Sequence, residues 1–210
     1  YQRRVRGMSK TIILVRHGET DFNTDPEPRV RGRIEISLNA EGFRHAEQAG
    51  EFLKNEKIEA IYYSKVNRAQ QTANEVYKHH KNAKFIEEPL AIDISWGDWE
   101  GKTYTEAFGS KDGGMYLKDP SQLEIPNGES FYQVLDRIKK LFHKIRDAPE
   151  QTVCIVSHGA IFNLLACFVC ECPLRQFWTF YMGGCAVSKI VMRNINDFTI
   201  KYWNNMSHIK

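Results

Sequence analysis

Two apolar runs far apart in the chain, Thr11-Ile12-Ile13-Leu14-Val15 and Thr152-Val153-Cys154-Ile155-Val156-Ser157, both stop at a histidine followed by a glycine. Continuous β-branched runs of this length are strands buried on both faces, and such strands belong to sheets covered by helices on either side. The stops read Arg16-His17-Gly18 and Ser157-His158-Gly159, so a cation, two imidazoles and two permissive glycines stand where strands meet their loops. Equivalent strand ends of a parallel sheet face one crevice, which is where open α/β sheets bind their ligands. The pair of runs therefore predicts an α/β domain in which His17 and His158 meet.

The segments between them fit that frame. Ser37-Leu38-Asn39 offers caps for a helix whose inward face is Phe43, Ala46, Ala49, Gly50 and Leu53, after a loop over 24–37. Ala60–Ser64 and Lys84–Glu87 read as strands around a helix from Arg68 to Lys78, with Ala69, Thr72, Ala73, Val76 and Tyr77 buried. The longest amphipathic helix carries Phe131, Val134, Leu135, Ile138, Leu141, Phe142 and Ile145 at three- and four-residue intervals. An apolar helix follows Gly159, and Ala186–Met192 and Phe198–Trp203 form a closing antiparallel pair. The expected architecture is a three-layer α/β/α sandwich with a mainly parallel central sheet, one antiparallel strand near the C-terminal end, and a short helical insertion at residues 102–128.

At 210 residues the chain supports a single domain, expected over residues 8–210. Residues 1–7 read as a tag remnant or loose basic arm before Met8-Ser9-Lys10. The formal net charge of +3 is matched by Arg3, Arg4 and Arg6 alone, so charge gives no case for nucleic acid. No apolar segment approaches the ~20 residues that span a bilayer, and a cytoplasmic protein without a membrane partner is expected. Cys167, Cys170 and Cys172 suggest a metal site by spacing, but Cys167 and Cys170 fall in an apolar run where cysteine acts as a small hydrophobe, so no metal is expected.

The chemistry at the strand ends points to an anion. Gly159 opens a helix, whose first N–H groups and dipole favour negative charge. Arg16 is permanently cationic and suited to bidentate phosphate binding. Arg68, just past the Ala60–Ser64 strand, delivers a second guanidinium to a third strand end. Two arginines and two histidines around one group imply a dianion such as phosphate, with His17 as nucleophile.

Four stretches in order, LVRHGETDFN (14–23), SKVNRAQQTA (64–73), SWGDWEG (95–101) and VSHGAIF (156–162), resemble the motifs of the histidine phosphatase superfamily, also called the phosphoglycerate mutase-like family. The ending Trp203–His208 resembles the small phosphatase branch that includes alpha-ribazole phosphatases. The resemblance implies a phosphohistidine on His17, with Arg16, Arg68 and His158 neutralising the phosphoryl oxygens. It further implies Gly18, Asn23 and Gly159 as substrate-binding positions, with no cofactor. Glu129 matches a Gly-Glu-Ser motif, for orienting a histidine or starting a helix. The family's acid is a glutamate six residues before the Trp-Glu-Gly tryptophan, and here that position is Asp93, one methylene shorter; Glu19, Asp98, Glu100 or water stand as alternatives.

The 27-residue segment 102–128 matches the short phosphatase type rather than the longer insertion of the mutases. The expected function is a phosphomonoesterase acting on a small phosphorylated metabolite. A cofactor-dependent phosphoglycerate mutase and a non-catalytic phosphate-binding regulator are the alternatives. Trp96, Trp99, Tyr104, Phe108, Met115 and Tyr116 either line an apolar rim for the leaving group or pack the insertion onto the domain. An edge strand or the Cys170–Tyr181 segment could support a homodimer, though burial within one chain explains both.

Overall fold

The computed structural model describes residues 9–109 and 114–210; the segment 1–7, Met8, and residues 110–113 of the expected insertion lie outside the described residues. In chain order the elements are β1 (Lys10–Arg16), the one-turn helix α1 (Asp21–Thr24), α2 (Ala40–Leu53), β2 (Ala60–Tyr63), α3 (Asn67–Lys78), β3 (Lys84–Glu87), the short helices α4 (Tyr104–Phe108) and α5 (Met115–Lys118), α6 (Phe131–Asp147), β4 (Thr152–Ser157), α7 (Gly159–Val169), β5 (Val187–Asn194) and β6 (Asp197–Asn205). The strands form one sheet in the order β3-β2-β4-β1-β5-β6. β3, β2, β4 and β1 are parallel; β5 is antiparallel to both its neighbours and so alone runs against the rest.

Register sets the site. Arg16 lies level with Ser157, and Tyr63 level with Val156, so His17, His158 and Ser64 leave their strands at nearly one height. Side chains of a strand alternate between faces, and β1 supplies both cores. Ile12 and Leu14 pack with Val134, Ile138, Leu141 and Phe162 of α6 and α7, while Ile13 and Val15 pack with Ala46, Ala49, Leu53, Ala73 and Val76 of α2 and α3. Asn39 caps α2 by accepting from Gly42 N at 2.8 Å, and Ser130 caps α6 by accepting from Gln133 N at 3.2 Å.

Some expectations are corrected. Phe43 is 41% exposed; the inward position near the start of α2 belongs to Gly42, which presses on the backbone of Glu19 where a side chain has no room. Arg68 joins the buried face of α3 with no exposed surface, while Tyr77 is only partly buried and stacks on Phe85. Cys167 is buried as expected, but Cys170 falls at the C-cap of α7 and is exposed. The described part of 102–128 contains α4, α5 and a 3-10 turn at Pro120–Gln122. Among the described residues no single helix is long and apolar enough to cross a membrane.

Candidate active site

At the carboxyl ends of β1, β2 and β4 lies a cavity of about 220 Å³ lined by Arg16, His17, Asp93, Gly159, an arginine-bearing segment at 29–32 and a wall of aromatic side chains. His17 is buried, and its Nδ1 lies 2.7 Å from Gly18 O. A carbonyl only accepts, so Nδ1 carries the proton and Nε2 keeps its lone pair. Arg68 Nε donates to that Nε2 at 3.3 Å. Burial, then the charges of Arg68 and Arg16, hold His17 well below the ordinary imidazole range, which leaves it neutral.

Arg68 is held rigidly. Its Nη1 donates to Ile34 O at 3.0 Å and its Nη2 to Gly32 O at 2.6 Å and Asp93 Oδ2 at 2.9 Å. Arg16 Nη1 donates to Met182 O, while among the described residues its buried Nε has no partner, leaving a donor for a ligand. The Arg16 guanidinium sits over the Tyr181 ring, 5.7 Å from its centroid, and alongside Gly159: a Cβ there would come within 3.2 Å of Arg16 Nε. Gly159 therefore permits the arginine to lie against the first turn of α7.

His158 is buried beside His17, ring centroids 5.1 Å apart. Its Nε2 meets Ser64 Oγ at 2.8 Å, and its Nδ1 faces Arg68 Nη2 at 3.2 Å and Asp93 Oδ2 at 3.3 Å. Burial first, then Arg68 and His17, lowers its pKa well below the usual imidazole value. Asp93 Oδ1 accepts from Ile94 N at 2.9 Å. Burial raises the Asp93 pKa, opposed by the charge of Arg68.

The alternative acids are placed elsewhere. Glu19 accepts from Asn39 Nδ2 at 2.8 Å, and Asp98 is exposed and accepts from Asn127 Nδ2 at 3.0 Å. Glu100 Oε1 accepts from the backbone N of Arg33 and of Trp96, each at 3.1 Å, and thus clamps two loops. Asp93 is the one acid of these four that lines the cavity. Glu129 touches neither histidine; it pairs with Arg33 at 2.8 Å and Arg137 at 3.0 Å and accepts from Ser95 N, bracing the segment that carries Asp93.

Asn23 lines the cavity, but its Oδ1 accepts from Thr20 N and Oγ1 at 3.0 and 2.9 Å, which turns that oxygen toward the start of α1. Gly18 N donates to Thr72 Oγ1 at 3.0 Å, so the N–H of this residue serves to hold the loop. Trp96, Tyr104, Phe108 and Tyr116 do two things at once: they line the cavity and pack against one another at centroid distances of 5.1–6.0 Å, edge-on except for Phe108 and Tyr116, which stack. Trp99 packs behind them on Phe108, and Met115 is exposed.

Sequence reasoning missed Ser64, Arg31 and the wall formed by Phe177, Trp178, Tyr181 and Met182. Ser64 was findable, since it stands just past β2 as His17 and His158 stand just past β1 and β4. The wall had no local signal, because its residues reach the site only through the turn after α7.

The family model described as histidine phosphatase superfamily (branch 1) matches residues 12–206. Phosphoserine phosphatase 1 of Hydrogenobacter thermophilus is 30% identical over 193 residues, covering 90% of each chain. A probable phosphoglycerate mutase, GpmB, of Proteus mirabilis is 27% identical over 215 residues, 94% of each chain. Among solved structures, Bacillus stearothermophilus YhfR superposes with a TM-score of 0.87 at 29% identity, covering 96% of this chain and all of that one.

Proposed function

The chain belongs to the histidine phosphatase superfamily and is a phosphatase of it, and on that premise we propose that it hydrolyses a small phosphate monoester through a covalent phosphohistidine on His17. The observation that carries this reading is the Nδ1–H to Gly18 O bond, which leaves Nε2 of a neutral, buried imidazole unprotonated, its lone pair engaged by a 3.3 Å bond from Arg68 Nε that must yield to phosphorus. In the first step Nε2 bonds to phosphorus, the ester P–O bond breaks, and the leaving oxygen takes the Asp93 proton. In the second, water gives its proton to the Asp93 carboxylate as its oxygen bonds to phosphorus, the P–N bond breaks, and His17 and phosphate are released.

Arg16, Arg68 and His158 stabilise the phosphoryl oxygens in both steps. Their positions are fixed before substrate arrives, Arg68 by two carbonyls and His158 by Ser64, so little reorganisation accompanies the charge that develops. The unpartnered Arg16 Nε adds a preformed donor. The proposed compartment is the cytoplasm, supported by five free cysteines.

Wild type is expected to release phosphate from p-nitrophenyl phosphate and to carry an acid-labile phosphohistidine when quenched during turnover; His17→Ala shows neither. Absence of turnover and of phosphoenzyme across sugar phosphates, phosphoglycerates, nucleotides, phosphoserine and alpha-ribazole phosphate would sink the reading. The mutase-named relative supports a second one, in which the phosphoenzyme returns its phosphoryl group to a sugar acid. Interconversion of 3- and 2-phosphoglycerate outpacing phosphate release would establish it.

A further inference from the structure

Three arginines alternate along the segment that borders the cavity, and the protein neutralises only the outer two. Arg29 pairs with Asp25 at 3.1 Å and Arg33 with Glu129 at 2.8 Å. Among the described residues the guanidinium of Arg31 makes neither an ion pair nor a hydrogen bond, although the residue lines the cavity and is only partly exposed. Its neighbours are pinned. Val30 N donates to Lys102 O at 2.9 Å and Val30 O accepts from Gly101 N at 2.8 Å, while Gly32 O holds Arg68. Gly32 has φ +52°, and a Cβ there would lie 2.9 Å from Trp96 Cδ1, so the backbone beneath Arg31 has one place to be. The side chain is thus rooted on a fixed wall and left without an anion.

Charge balance says what it awaits. The proposed reaction begins with Asp93 as the acid, which sets Arg16, Arg31 and Arg68 as three cations around the reacting centre, and a dianionic phosphate neutralises two. One positive charge remains. Lost solvation and the neighbouring Arg16 charge both lower the Arg31 pKa, yet a guanidinium stays protonated, so the cost of keeping it there is met by a bound anion. Arg31 exerts its charge on His17, Asp93, Tyr104 and Tyr116, so it acts on the nucleophile, the proton donor and the aromatic wall beside them. A cavity of about 220 Å³ is below the ~300–1,000 Å³ of sites for drug-sized ligands, so the anion must belong to a small substrate.

We infer that Arg31 binds a second anionic group, a carboxylate or a phosphate carried by the leaving-group alcohol, and so selects small phosphate esters with two separate anions. This rests on the phosphatase reading above. Two matched pairs test it: 3-phosphoglycerate against glycerol 3-phosphate, differing in a carboxylate, and fructose 1,6-bisphosphate against fructose 6-phosphate, differing in a phosphate. Wild type is expected to favour the doubly anionic member of at least one pair in kcat/KM, and the pair that shows it identifies the anion. Arg31→Gln should lose roughly 10–100-fold on that member, the range of a charge-assisted hydrogen bond, and several-fold less on its partner. Arg31→Lys should keep part of the preference. No preference in either pair, or equal losses on both members, overturns the inference, the latter by assigning Arg31 to the transferred phosphate. Calorimetric binding of the same four compounds to His17→Ala, with and without Arg31→Gln, reads the preference without turnover. Failure of the phosphatase reading is seen separately, as absence of phosphoenzyme from p-nitrophenyl phosphate in wild type.

Discussion

Replacing Asp93 by asparagine removes one proton and one charge while keeping the side chain's shape, and the surroundings of Asp93 determine what each loss does. The amide oxygen can still accept from Ile94 N or face Arg68 Nη2, now 2.9 Å from Oδ2, and Arg68 retains Gly32 O and Ile34 O. Deleting one partner of a buried ion pair ordinarily costs ~3–5 kcal/mol. Here burial already raises the Asp93 pKa, so its folded-state advantage is complete below the unfolded value of ~3.9 and is lost as pH rises through the folded value. At neutral pH an uncharged isostere therefore costs little stability, and the melting temperature should move only a few degrees.

The kinetic loss is another matter. A positioned general acid contributes ~10²–10⁴-fold, equivalent to ~2.7–5.5 kcal/mol, when the leaving oxygen is a basic alkoxide. A p-nitrophenolate leaves without a proton, so its loss should stay within roughly 10-fold on the same reasoning. Steady-state kinetics of Asp93→Asn on an alkyl phosphate and on p-nitrophenyl phosphate give the ratio directly. Equal losses on the two esters, with the melting temperature held, would refute Asp93 as the proton donor.

Gly42→Ala sets helix propensity against packing: alanine gains at most about 1 kcal/mol in the first turn of α2, but its Cβ would collide with Glu19 O and lie 2.8 Å from Glu19 N, an overpacking worth ~1–3 kcal/mol. Packing should win, with a lower melting temperature and a larger drop in kcat/KM because the loop next to His17 must shift; a more stable, fully active variant would contradict the close approach. Ser64→Ala removes the 2.8 Å contact to His158 Nε2 and should lower kcat/KM about 10-fold with little change in stability, the value of one hydrogen bond that orients a buried ring. His17 and His158 both have depressed folded-state pKa values, so their contribution to stability is complete above the unfolded value of ~6.5 and is lost as pH falls toward the folded values, at up to ~1.4 kcal/mol per pH unit for each. Thermal melts from pH 7.5 to 5.5 should show the decline and His17→Asn should reduce its slope; a flat profile would mean the imidazoles are not held neutral.

Much of the molecule was legible because its signals are local. The runs ending at Val15 and Ser157 are strands whatever surrounds them, and α6 is visible in the spacing from Phe131 to Ile145. Arg16, His17, Arg68 and His158 could be picked out because each stands at a strand end or first helical turn, where chain order already implies a shared crevice. The exposed Phe43 was misread for a physical reason: the apolar period of α2 is satisfied by either Phe43 or Gly42, and only the approach of the Glu19 backbone decides between them.

What the sequence determined by itself is the α/β class, the strands and helices, and the identity of the groups at the reacting centre, since periodicity and strand-end chemistry are properties of neighbouring residues. What only the tertiary structure decided is which acid stands in the cavity, that Glu129 braces arginines instead of a histidine, that Ser64 orients His158, and that, among the described residues, Arg31 alone of three alternating arginines lacks an anion. Those outcomes depend on distances between segments tens of residues apart. Charge compensation and burial act through space, so the same aspartate or arginine is a surface residue or a reactive one according to what the fold sets beside it.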